Sequence, residues 1–422
     1  MNMPHSADAS AGRRWTRTLS FGMTLGFGAI FFATIPMLGC ESAHKSSSDA
    51  PAPSTTKTSG EWSERMQELS QSLSQLLPLV ADHRAFNDPA KADLVQKSMS
   101  QLKAMAHQVK HQVQKGNKPS SDPAFTPIAE MLDEDLARAI VAYQSGNRDY
   151  ARLTLRESMS YCIQCHTQAA GGPDFSGRGG LSVNTDNFSP LARGDYYAAT
   201  RQFDDALKAY LNGVKDQQYA KDDLFAWEKA ARSALALSVR YKESPSQARE
   251  VVKAIQGNPQ TPPSLKDSAR AWLQSIEKWE REKEPDSRLE RADRLLKEAE
   301  KRASSATERG QDLLYLRASA DLHQWLASHP EPNAARAKAL LMAGKAAEAS
   351  RDMNFWTLHE RYYEMCINTL PNSVMARECY SNLEESVKLG YTGSSGVHMP
   401  REEVERLKNL RARAMGENTK AK

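Results

Sequence analysis

The chain has 422 residues and a formal net charge of +4, and the first 39 residues contribute +2 of that charge. The remaining charge near +2 is too small for the electrostatic footprint of a nucleic-acid-binding protein, and the length allows two or three domains. Ala, Leu, Gln, Glu, Lys and Arg are abundant while Val, Ile and aromatic residues are sparse, so the composition favours helices and predicts an all-α fold.

Residues 1–39 have the pattern of an export signal. Three arginines open the segment, residues 19–38 are almost wholly apolar or small, and Cys40 follows after one glycine. This order resembles the signal of a bacterial lipoprotein, which is removed after lipid has been attached to the thiol of the following cysteine. The resemblance implies that residues 1–39 are cleaved and that Cys40 carries the lipid.

An uncleaved transmembrane anchor is the alternative, since the apolar run is nearly long enough to span a bilayer. Both possibilities export the chain and attach it to a membrane. We therefore expect a periplasmic protein held at a bacterial membrane through its lipid anchor. The residue after Cys40 is Glu rather than Asp, which slightly favours the outer membrane.

Residues 40–59 are mostly Ser, Thr, Pro, Ala and Lys and show no apolar period, so they read as a flexible tether. Residues 60–168 then contain four helical patterns, each with apolar residues on one face. The four predicted helices cover residues 61–82, 89–113, 127–143 and 147–166. The apolar faces must be buried together, and short connections make neighbouring helices antiparallel, so this region is predicted to be a four-helix bundle.

One motif carries recognisable chemistry, Cys162-Ile163-Gln164-Cys165-His166, at the end of the fourth predicted helix. Cys-x-x-Cys-His is the attachment signature of c-type haem. The two thiols add to the haem vinyl groups, and the histidine that follows can bind the iron from one face. The sequence therefore predicts one covalent haem c, with its iron, and export fits because bacterial c-type haem is attached outside the cytoplasm.

Two other interpretations of the motif are possible. A redox-active cysteine pair normally follows a strand and lies at the start of a helix, where the thiolate is stabilised, whereas this motif lies near the end of one. Half of a zinc site would need further Cys or His ligands at suitable spacing, and the other cysteines are distant in sequence. Haem attachment is the interpretation that these observations favour.

The position of the motif in the fourth helix resembles cytochrome c′ and its b-type four-helix relatives. The likeness covers residues 61–168, about a quarter of the chain, and also rests on Met66, Leu69 and Leu73 in the first helix. It implies that His166 binds the iron. It also implies that the sixth position is either taken by a methionine of the first helix or vacant.

Helix geometry narrows the choice of sixth ligand. Met66 lies one turn into the first helix, on its apolar face and at the haem end of the bundle. His83 closes that helix at the opposite end, while His107 and His111 lie at the correct end but on the polar face of the second helix. Met131 lies at the edge of its apolar stripe. We therefore predict Met66 as the sixth ligand, with a vacant position as the next alternative and histidine as the last.

Residues 169–188 form a Gly-rich linker, and residues 189–416 read as paired helices followed by a tail, 417–422. Two units resemble the tetratricopeptide pattern, the second more loosely. Their characteristic residues are Gly194, Tyr197, Ala206 and Tyr210 in the first unit, and Ala347, His359, Tyr363, Cys366 and Pro371 in the second. A helical repeat presents an extended concave surface, so we expect residues from about 189 onward to bind a protein partner. Deleting the region should leave the haem spectrum intact.

Cys366 and Cys379 stand on either side of Pro371-Asn372-Ser373, which looks like a turn between two helices. Facing positions on such a helical hairpin can meet the geometry of a disulfide, and an exported protein can be oxidised. We predict a disulfide between these two cysteines. Two buried free thiols are the alternative.

No Ser/His/Asp or paired-carboxylate arrangement is identifiable, so the chain is not expected to be an enzyme. A single haem without an evident catalytic base favours an electron carrier. In this interpretation the repeat region binds a redox protein or a membrane complex. A haem-based gas binder with an open sixth site, or a repeat scaffold with a structural haem, are the alternatives.

Overall fold

The computed structural model describes residues 56–116, 121–168, 183–282, 287–303, 310–350 and 358–417, with side chains from Trp62 onward. Within these ranges the fold is all-α, as predicted, apart from one small hairpin. The helices are α1 (Thr56–Ala81), α2 (His83–Asn87), α3 (Ala92–Gln114), α4 (Phe125–Gln144), α5 (Arg148–Gln168), α6 (Pro190–Ala199), α7 (Phe203–Lys215), α8 (Gln217–Asp222), α9 (Leu224–Arg240), α10 (Pro245–Gly257), α11 (Pro263–Arg281), α12 (Arg288–Ala303), α13 (Gln311–Ser328), α14 (Ala334–Ala349), α15 (Leu358–Thr369), α16 (Val374–Gly390) and α17 (Arg401–Met415). The hairpin consists of β1 (Thr392–Gly393) and β2 (Gly396–Val397), which pair antiparallel with Thr392 opposite Val397.

The four long helices α1, α3, α4 and α5 correspond to the four predicted helices and pack around one apolar core. Their ends agree with the prediction within a few residues, except that α1 begins at Thr56. The last four residues of the predicted tether are therefore helical. The signal segment, Cys40 and the rest of the tether lie outside the described residues, and so do residues 418–422.

Short connections orient these helices. Gly146 has φ +85°, a conformation that glycine adopts at little cost, and it reverses the chain between α4 and α5. Asp82 accepts hydrogen bonds from the backbone N–H groups of Arg84 and Ala85 and so starts the short helix α2 between α1 and α3. As a result, the end of α5 lies beside the beginnings of α1 and α4.

The remaining helices surround two further apolar cores, one built mainly from α6–α11 and α13 and the other from α12–α17. Close approach of neighbouring helices explains two of their glycines. The ring of Tyr210 occupies the space that a Cβ on Gly194 would need, and Tyr363 lies in the same way against Gly344. Packing of Tyr210 against Gly194 agrees with the role that their spacing predicts.

The cores are not separate from one another. Ile128 and Met131 of α4 belong to the core of α12–α17, while Tyr196 and Ala199 of α6 belong to the core of α1–α5. The described residues accordingly belong to one compact unit. Side-chain packing thus crosses the predicted linker, of which residues 169–182 lie outside the described ranges.

A buried polar cluster also joins the N-terminal and C-terminal helices. The Asp122 carboxylate lies 2.8 Å from Nδ1 of His323, and Nε2 of His323 lies 3.2 Å from the hydroxyl of Tyr362. All three side chains are buried. Because a buried carboxylate needs hydrogen-bond partners, this cluster fixes the start of α4 against α13 and α15.

Cys366 on α15 and Cys379 on α16 lie at disulfide distance, with S–S 2.05 Å and Cα–Cα 6.3 Å. The predicted turn between them is present, since α15 ends at Thr369 and α16 begins at Val374. The arrangement agrees with the predicted pairing. Among the described helices, none is long and apolar enough to cross a membrane.

Candidate functional site

A cavity lies among α1, α3, α4 and α5, at the end where α5 terminates. Cys162, Cys165, His166 and Met66 all line it, so the structure brings together every residue predicted for the haem site. Most of the remaining wall is apolar, with Leu69, Leu73, Leu102 and Leu132 among the lining residues. The wall of the cavity thus presents two thiols, an imidazole and a thioether among mostly apolar side chains.

Helical spacing places the motif on the cavity wall. Cys162, Cys165 and His166 lie in the last two turns of α5, at positions i, i+3 and i+4, which share one helix face. Gln164 faces away from this surface and is buried. The two thiols and the imidazole of the motif therefore face the cavity together, while Gln164 packs on the other side of α5.

The electrostatic surroundings keep both thiols protonated. Burial raises the pKa of Cys162 to about 11 and raises that of Cys165 still further, where the neighbouring Cys162 and Asp122 add to the effect. The two cysteines are not bonded to each other. A redox-active pair would need a thiol with a lowered pKa. The site thus has the wrong electrostatics for that alternative.

His166 is held in its neutral form. Burial lowers the pKa of its imidazole to about 3, the positive charge of Arg201 acts in the same direction, and a hydrogen bond with the backbone of Ala199 opposes them. A neutral imidazole has a lone pair available for a metal ion. His166 is therefore ready to act as a ligand near neutral pH.

The part of the cavity wall that α1 forms contains Met66, the predicted sixth ligand. Met66 is partly buried and lies on the cavity surface with Trp62, Leu69 and Leu73. The Trp62 ring packs edge-on against Phe125 of α4, with ring centroids 6.5 Å apart. Because the contact joins the beginnings of α1 and α4, it supports this end of the cavity.

The other candidate ligands lie elsewhere. His83 is exposed and 3.0 Å from Asp149, at the opposite end of the helices. His107 and His111 contact each other edge-to-face, with ring centroids 4.4 Å apart, on the outer surface of α3. Met131 packs in the core of α12–α17. None of these four side chains lines the cavity, as the helix geometry predicts for the histidines.

Among the described residues, no group of three or more His, Cys, Asp or Glu side chains is arranged to hold a metal ion.

Three site residues come from the C-terminal helices, and the sequence offered no local signal for them. Ala199 of α6 lines the cavity. Nη1 of Arg201 donates to the backbone oxygen of His166 at 3.3 Å, and Nη1 of Arg240 donates to Oε1 of Gln164 at 3.0 Å. The cavity wall thus extends beyond the predicted four-helix region, residues 60–168, because Ala199 of α6 forms part of it.

Comparisons with known proteins add no relative. No protein-family model matches the chain, and neither the curated proteins nor the solved structures contain a match.

Proposed function

We propose that this chain is a c-type cytochrome that carries electrons outside the cytoplasm through one covalently bound haem. The observation that carries the proposal is the convergence of Met66 with Cys162, Cys165 and His166 on one cavity, although about a hundred residues separate them in sequence. Ordinary core packing explains a buried methionine. It does not explain two unbonded thiols and a neutral imidazole on the same cavity surface.

The cavity fits the group. The apolar walls suit a largely apolar macrocycle. The thiols are protonated and close to one another, as addition to two vinyl groups requires, and the neutral imidazole suits an axial bond.

Each residue then has a defined task. Cys162 and Cys165 would tether the haem, His166 would bind the iron, and Met66 would occupy the sixth position. When bound, the haem supplies a one-electron couple whose potential depends on the axial ligands and on burial. The leucines of α1, α3 and α4 exclude water from it.

The N-terminal helices would thus form a four-helix haem bundle, and the helices from α6 onward a tetratricopeptide-like repeat region. The close packing of Tyr210 on Gly194 and of Tyr363 on Gly344 supports this assignment, because such repeats use small residues where helices meet. In this proposal the repeat region binds a redox protein or a membrane complex. The lipid on Cys40 holds the protein at the periplasmic side of a membrane, and nucleic acid has no part in its function.

A gas-binding protein is the second candidate. Among the described side chains of α1 that line the cavity, Met66 is the one with a sulfur donor for iron, and its neighbours on that wall are Trp62, Leu69, Ser70 and Leu73. If the thioether stayed off the iron, the sixth position would face a largely apolar pocket. Such a pocket would admit carbon monoxide or another small neutral gas.

The optical spectrum of the reduced, purified protein separates the two candidates. A carrier with Met66 bound has a low-spin spectrum that carbon monoxide leaves unchanged. A gas binder is high-spin, and its spectrum shifts when carbon monoxide is added. A preparation matured in a host with the c-type attachment apparatus that shows no haem absorption would contradict the proposed function itself.

A further inference from the structure

Two buried arginines from the C-terminal helices contact the last turn of α5. Arg201 follows α6 and is 8 % exposed, and Arg240 ends α9 and is 6 % exposed. Arg201 donates to the backbone oxygen of His166, and Arg240 donates to the side chain of Gln164. Both contacts fall inside the five-residue motif. The C-terminal helices therefore hold the motif at two points.

The backbone at Arg201 indicates that its side chain is required there. Its φ is +62°, and its N–H donates to the carbonyl of Ala198 at the end of α6. This is the position after a helix where glycine is usual, because a residue with a Cβ adopts a positive φ only at a cost. The guanidinium lies over the ring of Phe203, 5.6 Å from its centroid. A strained arginine buried against the motif is a feature typical of functional sites.

Both side chains bring positive charge to the site. Burial lowers the pKa of Arg240 to about 10, with Tyr362 and Asp122 opposing the shift, so the group remains charged at neutral pH. The charge of Arg201 acts on His166 and on Cys165. Burying such charges is unfavourable unless hydrogen bonds compensate for the lost water. Burial of the two guanidinium groups beside the motif thus lowers the free energy of unfolding unless their hydrogen bonds compensate.

We propose that Arg201 and Arg240 are positioning residues for the candidate haem site, which fix the last turn of α5 and raise the reduction potential of the iron bound by His166. This inference rests on the proposed function. A nearby positive charge favours the reduced iron because that state carries one positive charge less.

The test compares the reduction potentials of full-length, haem-loaded variants. Arg201→Gly relieves the positive φ and removes the charge, and Arg240→Gln removes the second charge. Each should shift the potential to a more negative value. Arg201→Lys and Arg240→Lys keep the charge and should retain most of the potential. Arg249→Gln is the matched control, since it removes an arginine from an exposed pair with Glu280 and should leave the potential unchanged.

A second measurement does not need haem. In full-length protein made without the attachment apparatus, amide hydrogen exchange of residues 162–167 should be faster in Arg201→Gly and Arg240→Gln than in wild type or Arg249→Gln. A variant that does not fold at all is replaced by its lysine counterpart, whose exchange should be intermediate.

The outcomes separate the two proposals. Haem-loaded variants with unchanged potentials and unchanged exchange overturn the positioning role and leave the proposed function standing. A wild type that never acquires haem overturns the proposed function, and the exchange rates then decide the positioning role by themselves. Lower potentials with faster exchange, reversed in the lysine variants, support the inference.

Discussion

Met66 is the proposed sixth ligand of the candidate site. Met66→Ala should convert a low-spin haem to a high-spin one, lower its reduction potential and allow carbon monoxide to bind, because no other lining side chain of α1 can replace the thioether. The optical spectrum reports the spin state and the binding of carbon monoxide, and a redox titration measures the reduction potential. Met131→Ala is the control, since Met131 packs in another core and should not affect the spectrum. A Met66→Ala spectrum identical to wild type would remove this residue from the coordination sphere.

Asp195 gives the fold a pH dependence that can be measured. Burial raises the pKa of this carboxyl to about 6, although the charge of Lys229 and a 2.6 Å hydrogen bond from Tyr210 oppose the shift. The folded state thus holds the proton more tightly than the unfolded state. This contribution to stability is complete below the ordinary pKa of 3.8 and is lost as pH rises through about 6.

Asp195→Asn removes that titration. The free energy of unfolding of the variant, relative to wild type, should rise between pH 4 and pH 7 by at most about 3 kcal/mol, since one pKa unit corresponds to about 1.4 kcal/mol. Urea unfolding at a series of pH values measures the difference. Tyr210→Phe removes a hydrogen bond that opposes the shift and should enlarge the pH dependence. A difference that stays constant with pH would show that Asp195 does not titrate in this way.

Among the helices, those with a regular apolar period were predictable and their irregular junctions were not. The long helices α1, α3, α4 and α5 agree with their predicted positions because each buries one continuous face. The short helix α2 was missed, since it depends on the Asp82 cap rather than on periodicity. The beginning of α1 was also missed. Residues 56–59 have the composition of a tether, yet they form the first turn of α1.

The hairpin of α15 and α16 provides a test of stability. Cys366 and Cys379 are separated by 13 residues in sequence, and a disulfide that closes a loop of this size stabilises a fold by ~3 kcal/mol through the entropy of the unfolded chain. Reduction should therefore lower the free energy of unfolding by about that amount. Thiol labelling under denaturing, non-reducing conditions should find neither cysteine free. Complete labelling of both would refute the pairing.

For the whole molecule, the meeting of the predicted site residues at one cavity could be predicted from the sequence, and the contacts that support them could not. The Cys-x-x-Cys-His motif is local, and Met66 follows from the apolar face of one helix, so both could be found from spacing. Arg201 and Arg240 lie 35 and 76 residues from the groups they contact. No periodicity within one chain segment predicts such contacts. They arise because α6 and α9 pack directly against α5.

The three apolar cores share residues across the predicted linker, so the molecule does not divide into two independent domains there. Ile128 of α4 both lines the cavity and packs with the C-terminal helices, and Ala199 of α6 lines the cavity from the other side. The cavity therefore depends on residues on both sides of the predicted linker. In this respect the molecule behaves as one unit in which the C-terminal helices complete the site.

The intact mass of the denatured protein tests the central claim most directly. Full-length chain matured in a host with the c-type apparatus, extracted with acid acetone, should retain the added mass of one haem. Cys162→Ala with Cys165→Ala should lose it, while the matched change of Cys366 and Cys379 to Ser should keep it. A wild type whose mass after extraction is that of the polypeptide without haem, with or without lipid, would contradict covalent attachment at this cavity.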